Sequence, residues 1–316
     1  MVGGSPRRFS GVKLRDMSRT FENRFPQRAA IWRLRTRELR FGKMPLVMGI
    51  VNVTPDSFSD GGRFIEPHIA VEQARRLVAD GADLLDIGGE STRPYATPIS
   101  ADEELRRVLP VVEALAAELT VPISIDTSKA VVARAALTAG VEIINDVTGL
   151  TADPAMIPLA AASGAGVCAM HMQGTPQTMQ DAPKYGDVVA EIRQFLAARR
   201  EMLVEAGIAP EKICLDPGIG FGKTHQHNLT LMANCWQFHA LGCPLLVGHS
   251  RKGFLAKVIG DSNADRTAAT VGSAISLATQ GVQIVRVHDV RPVKEALLGF
   301  AATGGFDGQA RELANP

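Results

Sequence analysis

Eight short apolar runs, each followed by a loop and then a helical pattern, predict an α/β chain folded as a (β/α)8 TIM barrel. The runs occupy residues 46–51, 84–87, 123–125, 142–144, 166–170, 213–215, 245–247 and 283–287. They are rich in Val, Ile and Leu, as strands buried on both faces are. Two further observations agree. The units fill about 270 residues, the usual length of such a barrel, and polar residues collect where the runs end, which is where barrel enzymes carry their chemistry. A doubly wound open sheet is the runner-up; it usually carries a Gly-rich phosphate turn after its first strand, and none stands here.

Taken in order, residues 1–30 are rich in Arg, Ser and Gly and show no sustained apolar period. A basic, disordered extension is expected there. A transit peptide and a translation start at Met17 stay open as alternatives, whereas a secretory signal would need an apolar segment that is missing. Residues 31–316 are expected to form one barrel domain. From Ile31 the pattern alternates, Trp32 and Leu34 against Arg33 and Arg35. This predicts a strand that closes the barrel's lower mouth with a partner near residues 41–45. Helical periods follow at 71–78, around Leu105, Val108, Val111, Val112 and Leu115, and at 131–139, 188–206, 229–241, 267–280 and 293–301. Gly81, Gly140, Gly207 and Gly281 stand where C-terminal caps are expected.

The formal charge of +1 hides an asymmetry: residues 1–40 hold eleven Lys or Arg against three acids, leaving 23 basic against 30 acidic residues in the rest. The body is therefore no general nucleic-acid binder, and any basic site in it is local. No 18-residue apolar stretch appears, so no membrane span is expected. Cys168, Cys214, Cys235 and Cys243 lack metal-site spacing and suit a reducing cytoplasm.

The chemistry sits at the run ends. Asn52 ends the first run, ahead of a loop holding Pro55, Asp56, Ser57, Phe58, Ser59, Asp60 and Gly61–Gly62. Its oxygens suit a hard cation or a phosphate-bound one, and Phe58 could cover a ligand, as in a lid. The other ends carry Gly88 to Pro94, Asp126, Asn145, His171, Asp216 to Lys223, Gly248 to Gly253, and Arg286 with His288. Asp126 and Asp216 lie against apolar residues, and an unpaired buried carboxylate costs roughly 3 kcal/mol or more, so each needs donors. With Asn145 they would suit a flat heterocycle bearing several N–H groups, such as a pterin. The bland alternative is that Asp216 caps its Pro-Gly turn and Asp126 caps the helix near Ser128. Gly-His-Ser-Arg-Lys-Gly (248–253) opens a helix whose N–H groups favour an anion and, with Arg286 and His288, makes a basic cluster. His225 and His227 have metal-pair spacing but read as a helix N-terminal feature. His171 reads as a base or as a hydrogen-bonded structural residue, and Asp86 as a strand residue pointing into the barrel.

The stretch Met-Gly-Ile-Val-Asn-Val-Thr-Pro-Asp-Ser-Phe-Ser-Asp-Gly-Gly (48–62) closely resembles the first signature of the dihydropteroate synthase family. The segments 88–94, 124–129, 144–147, 170–180, 215–223, 247–253 and 285–288 extend the resemblance over residues 32–302. One departure is His249, where the family often carries Thr. The resemblance implies a cytoplasmic, homodimeric transferase of folate synthesis. It would join (7,8-dihydropterin-6-yl)methyl diphosphate to 4-aminobenzoate, giving dihydropteroate and diphosphate. It assigns the pterin to Asp126, Asn145, Asp216 and Lys252, with Phe221 also in contact. Arg286 would cover the pterin face and, with His288 and Asn52, hold the diphosphate. Asn52 would bind Mg²⁺, Ser250 would receive the aminobenzoate carboxylate, and Thr92, Arg93, Pro94 and Phe58 would enclose that substrate. Rival readings are a pterin-dependent methyltransferase acting with a corrinoid protein, a silent pterin-binding paralogue and, remotely, a zinc hydrolase.

Overall fold

The computed structural model describes residues 21–54 and 67–313. A short helix, α1 (Phe21–Arg24), precedes the hairpin strands β1 (Ile31–Arg33) and β2 (Glu38–Arg40). The barrel strands follow as β3 (Leu46–Asn52), β4 (Leu84–Gly88), β5 (Ile123–Asp126), β6 (Ile143–Asp146), β7 (Gly166–Met170), β8 (Ile213–Asp216), β9 (Leu246–Val247) and β10 (Ile284–Val287). The helices between and after them are α2 (Pro67–Ala79), α3 (Ala101–Glu118), α4 (Ala130–Thr138), α5 (Met156–Ser163), α6 (Val188–Glu205), α7 (His225–Ala233), α8 (Gly253–Ile259), α9 (Thr267–Thr279) and α10 (Val290–Ala302).

The eight strands pair in parallel in the order β8-β7-β6-β5-β4-β3-β10-β9, and a parallel bridge between Leu215 and Leu245 closes the ring. Side chains alternate about each strand. Outward residues such as Leu85, Ile125 and Ile144 join the shell of helices in the main core. Inward residues Met48, Leu84, Ile143, Cys168, Cys214, Leu246 and Ile284 form a separate plug in the lower barrel. The upper ends are left to polar residues, so the alternation that builds the core also places the site.

The hairpin seals the lower mouth as expected. Trp32 and Leu34 are fully buried in the plug, and the Trp32 indole donates to the Lys212 carbonyl at 2.9 Å. Gly166 lets this happen: a Cβ there would stand 2.8 Å from Leu34 Cδ2. Trp32→Ala would cost about 3–5 kcal/mol. The second hairpin strand lies at Glu38–Arg40 rather than 41–45; Phe41 donates its N–H to Ala30 at 2.9 Å and packs against the plug.

Two further expectations are corrected. Residues 21–30 are not a disordered tail: Phe21 and Phe25 are buried, Phe21 stacks edge-on against Phe306, and Arg28 donates to the Gly281 carbonyl at 2.6 Å. The 229–241 period is two elements. Asn234 turns its side-chain amide to the Thr230 carbonyl at 2.8 Å, ending α7, and a 3-10 stretch, Cys235–Leu241, follows. The helix α5 was unforeseen, whereas α8 is the helix expected to open at residues 248–253. The four expected capping glycines all have positive φ, from 78° at Gly281 to 112° at Gly140. No helix among the described residues is long and apolar enough to cross a membrane.

Candidate active site

The strand C-termini open into one cavity of about 1400 Å³, lined among others by Asn52, Thr92, Arg93, Pro94, Asp126, Phe221, Ser250, Lys252, Arg286 and His288. Asp86, Asn145 and Asp216 are buried beside it. All the expected site residues that are described therefore meet at one end of the barrel; Phe58 and Asp60 lie outside the described residues.

Arg286 ties the acids to the cations. From β10 its Nε donates to Asp86 Oδ2 at 2.6 Å and its Nη2 to Asp126 Oδ2 at 2.8 Å. Asn145 Nδ2 also donates to Asp86 Oδ2, at 3.0 Å. Burial pushes the Asp126 carboxyl up to about 7, with Arg286 opposing and Asp86 adding to the rise. Asp126 does not cap α4, whose first N–H, from Ala130, goes to Asp153 at 2.8 Å. Asp216 does serve its turn, accepting from the Gly218 N–H at 2.7 Å. Burial raises Asp216 to about 6, against that N–H and the charges of Lys252, Lys223 and Arg286. The turn reading and the ligand reading of Asp216 are thus compatible: one oxygen holds the loop, and the side chain keeps a neighbouring cation.

Lys252 lies with its Nζ 4.1 Å from the centre of the Phe221 ring, a cation–π contact. Burial, then Arg286, lowers it to about 8, while Asp216 and Asp126 pull the other way. Gly220 makes room for it, since a Cβ there would sit 2.9 Å from Lys252 Cδ. His288 departs from the expected basic cluster. Burial and the neighbouring Arg286, Arg251, Lys252 and Arg93 drive its imidazole down to about 3, so it is neutral at physiological pH. Its Nδ1 lies 3.0 Å from Ser250 Oγ, which also accepts the His288 backbone N–H at 3.2 Å. Arg251 is an outward ion pair, its Nε 2.8 Å from Asp289.

The loop carrying Thr92, Arg93 and Pro94 is anchored by a network that the sequence did not reveal. Glu90 accepts the Ile99 N–H at 3.0 Å and Lys129 Nζ at 2.7 Å, and the same Nζ reaches the fully buried Glu104 at 2.6 Å. Tyr95 at its tip donates its N–H to Pro176 at 3.0 Å, joining this loop to the one after β7.

His171 makes the contacts of a structural residue. It is buried, packs edge-on against Phe195 with ring centres 4.8 Å apart, and has Nδ1 3.0 Å from Lys223 Nζ. Burial and Lys223 lower it to about 3, while burial also pushes Lys223 well below its ordinary value. Lys223 donates to the Phe221 carbonyl at 2.8 Å and so braces the Phe221 turn. His227 reciprocates the Thr224 cap of α7, as its placement suggested. Among the described residues no group of three or more His, Cys, Asp or Glu could hold a metal ion.

Comparison with known proteins agrees with this geometry. The family model described as "Pterin binding enzyme" matches residues 48–288. The dihydropteroate synthase of Escherichia coli K12 is 48% identical over 259 residues, 82% of this chain and 92% of the relative. That of Synechocystis is 46% identical over 81% of this chain and 89% of the relative. The Yersinia pestis dihydropteroate synthase solved with a sulfonamide drug aligns with a TM-score of 0.82 at 45% identity, covering 87% of this chain and 99% of that one. The Burkholderia cenocepacia enzyme complexed with 7,8-dihydropteroate aligns with a TM-score of 0.78 at 46% identity, covering 88% and 97%. This chain belongs to the pterin binding enzyme family, among its dihydropteroate synthases.

Proposed function

We propose that the chain condenses (7,8-dihydropterin-6-yl)methyl diphosphate with 4-aminobenzoate, giving 7,8-dihydropteroate and diphosphate. The observation that carries this reading is the shared cavity in which Arg286 bonds Asp126 while Lys252 stands beside Asp216. Acceptors for ring N–H groups and cations for a diphosphate are thus within reach of one small molecule. Asp126, Asn145 and Asp216 accept from the pterin edge, and Lys252 donates to it from its perch on Phe221.

In the reaction the methylene C–O bond breaks with its electron pair leaving on the diphosphate. Arg286 and Lys252 offset that charge, and His288, neutral in the ligand-free protein, stands beside them as a hydrogen-bonding group. The ionised carboxylates of Asp126 and Asp216 favour the positive charge left on the pterin methylene. The aniline nitrogen then forms the new C–N bond and loses its proton to water, so no Ser–His or Cys–His pair is required. Thr92, Arg93 and Pro94 line the aminobenzoate side of the cavity, and Ser250 holds the adjoining His288 in place.

Mg²⁺ fits the donor set as a substrate-borne ion. Asn52 supplies one neutral oxygen at the cavity, and Mg²⁺ commonly takes one or two protein ligands with the rest from phosphate and water. When bound it would neutralise the leaving diphosphate. We also propose a cytoplasmic homodimer, which sedimentation of the purified protein and cell fractionation would test.

The direct experiment mixes the protein with the pterin diphosphate, Mg²⁺ and labelled 4-aminobenzoate. Labelled dihydropteroate is expected. Folded protein that makes none, or that moves a methyl group to a corrinoid protein instead, would overturn the reading.

A further inference from the structure

We propose that Asp86 is a positioning residue that fixes both the Arg286 guanidinium and the Asn145 amide, and thereby shapes the pterin pocket. The inference rests on the pterin-diphosphate reading above. Asp86 lies in the middle of β4, fully buried, with Ile50 of β3 and Ser124 of β5 as its register neighbours. A single oxygen, Oδ2, accepts from Arg286 Nε at 2.6 Å and Asn145 Nδ2 at 3.0 Å. These donors arrive from opposite sides, since β10 lies two strands from β4 across β3, and β6 lies two strands away across β5. One carboxylate thus ties together residues drawn from a five-strand arc of the barrel.

The consequences for the two partners differ. An amide has a donor end and an acceptor end. With its nitrogen committed to Asp86, Asn145 turns its oxygen away from Asp86, which is the polarity a ring N–H needs. Freed from Asp86, the amide could present either end. Arg286 is held at two points, Asp86 and Asp126, so its plane is set before any ligand arrives. With Asp126 alone it could pivot about one contact.

A purely structural carboxylate would be expected to satisfy both of its oxygens. Asp86 Oδ1 is buried without a partner among the described residues, and so is Oγ of the adjacent Ser124. An ionisable group placed just above an apolar plug, with half its acceptors unpaired, is poorly suited to stability alone. Asp86 lies below the cavity wall, so it acts through Asn145 and Arg286 rather than on the substrate.

The test uses the full chain and two variants. Asp86→Asn keeps the shape and removes the charge. The affinity for the pterin diphosphate, measured by titration calorimetry without 4-aminobenzoate, is expected to fall roughly 10- to 100-fold. Folded Asp86→Asn binding within about twofold of wild type would overturn the inference. Should that variant not fold, Asn145→Asp decides, because it leaves Asp86 in place. It keeps an oxygen toward the ring but sets a second carboxylate against Asp86, so a loss of about tenfold or more is expected. Wild-type affinity there would show that Asp86 does not orient residue 145. Wild-type enzyme assayed alongside separates the two claims: no dihydropteroate from wild type sinks the functional reading, whereas active wild type with unaltered variants sinks only this one.

Discussion

Replacing Arg286 by Met removes a cation while keeping much of the side-chain bulk. In the native protein the Arg286 side chain is 18% exposed, and its guanidinium lies 2.6 Å from Asp86 and 2.8 Å from Asp126. The variant leaves two buried carboxylates in one small volume, and breaking a buried pair by deleting one partner costs about 3–5 kcal/mol at neutral pH. Proton uptake offers relief. Burial already lifts Asp126 from 3.8 to about 7 against the pull of Arg286, so without that cation it rises further. A carboxyl whose folded pKa exceeds its unfolded one binds protons more readily when folded, so the penalty shrinks as pH falls toward 3.8. Urea unfolding followed by circular dichroism measures both effects. Arg286→Met is expected to lose several kcal/mol at about pH 7.5 and half of that or less at about pH 5.5, with turnover down about 10²- to 10³-fold. An unfolding midpoint equal to wild type at both pH values would refute the buried charge balance.

Binding of the pterin diphosphate should release protons between about pH 5 and 8, because N–H donors favour the ionised forms of Asp216, near 6, and Asp126, near 7. Calorimetry in buffers of different ionisation enthalpy reads this, and an affinity that stays flat across the window would contradict it. Lys129→Met strips the cation from buried Glu104 and loosens Glu90, so about 3–5 kcal/mol of stability should be lost. The apparent KM for 4-aminobenzoate should rise more than that for the pterin diphosphate; equal rises would detach this network from the aminobenzoate loop. Gly220→Ala puts a methyl group 2.9 Å from Lys252 Cδ at a φ of 85°. It should cost about 1–2 kcal/mol in melting experiments and lower turnover disproportionately by moving Lys252; unchanged turnover would place Lys252 outside the chemistry.

The barrel was legible because each strand is a short, mainly apolar run that gives way to polar or glycine residues. The eight runs reappear within a residue or so of their expected bounds, and Asp126, Asn145, Asp216, Lys252 and Arg286 do share one end. What escaped depends on contacts distant in sequence. The buried helix α1 is short and set in a basic stretch, and only packing of Phe21 on Phe306 reveals it. Asp86 read as an unassigned strand acid because its donors lie 59 and 200 residues away. Glu90, Lys129 and Glu104 lie on three separate segments, and only the fold brings them into one network. His288 read as a cation because its residue type suggests charge, whereas burial among Arg286, Arg251 and Lys252 makes it neutral. The hairpin's second strand is only three residues long, too short for an alternation to fix its register.

One molecule should engage the acid–amide group and the cations of β10 and the β9 loop together. A crystal structure of the protein with the pterin diphosphate bound would show this contact by contact. The ring edge should lie within hydrogen-bonding distance of Asp126, Asn145 and Asp216, with the diphosphate toward Arg286 and His288. A ligand seated elsewhere in the cavity, or with its diphosphate turned away from Arg286, would contradict it.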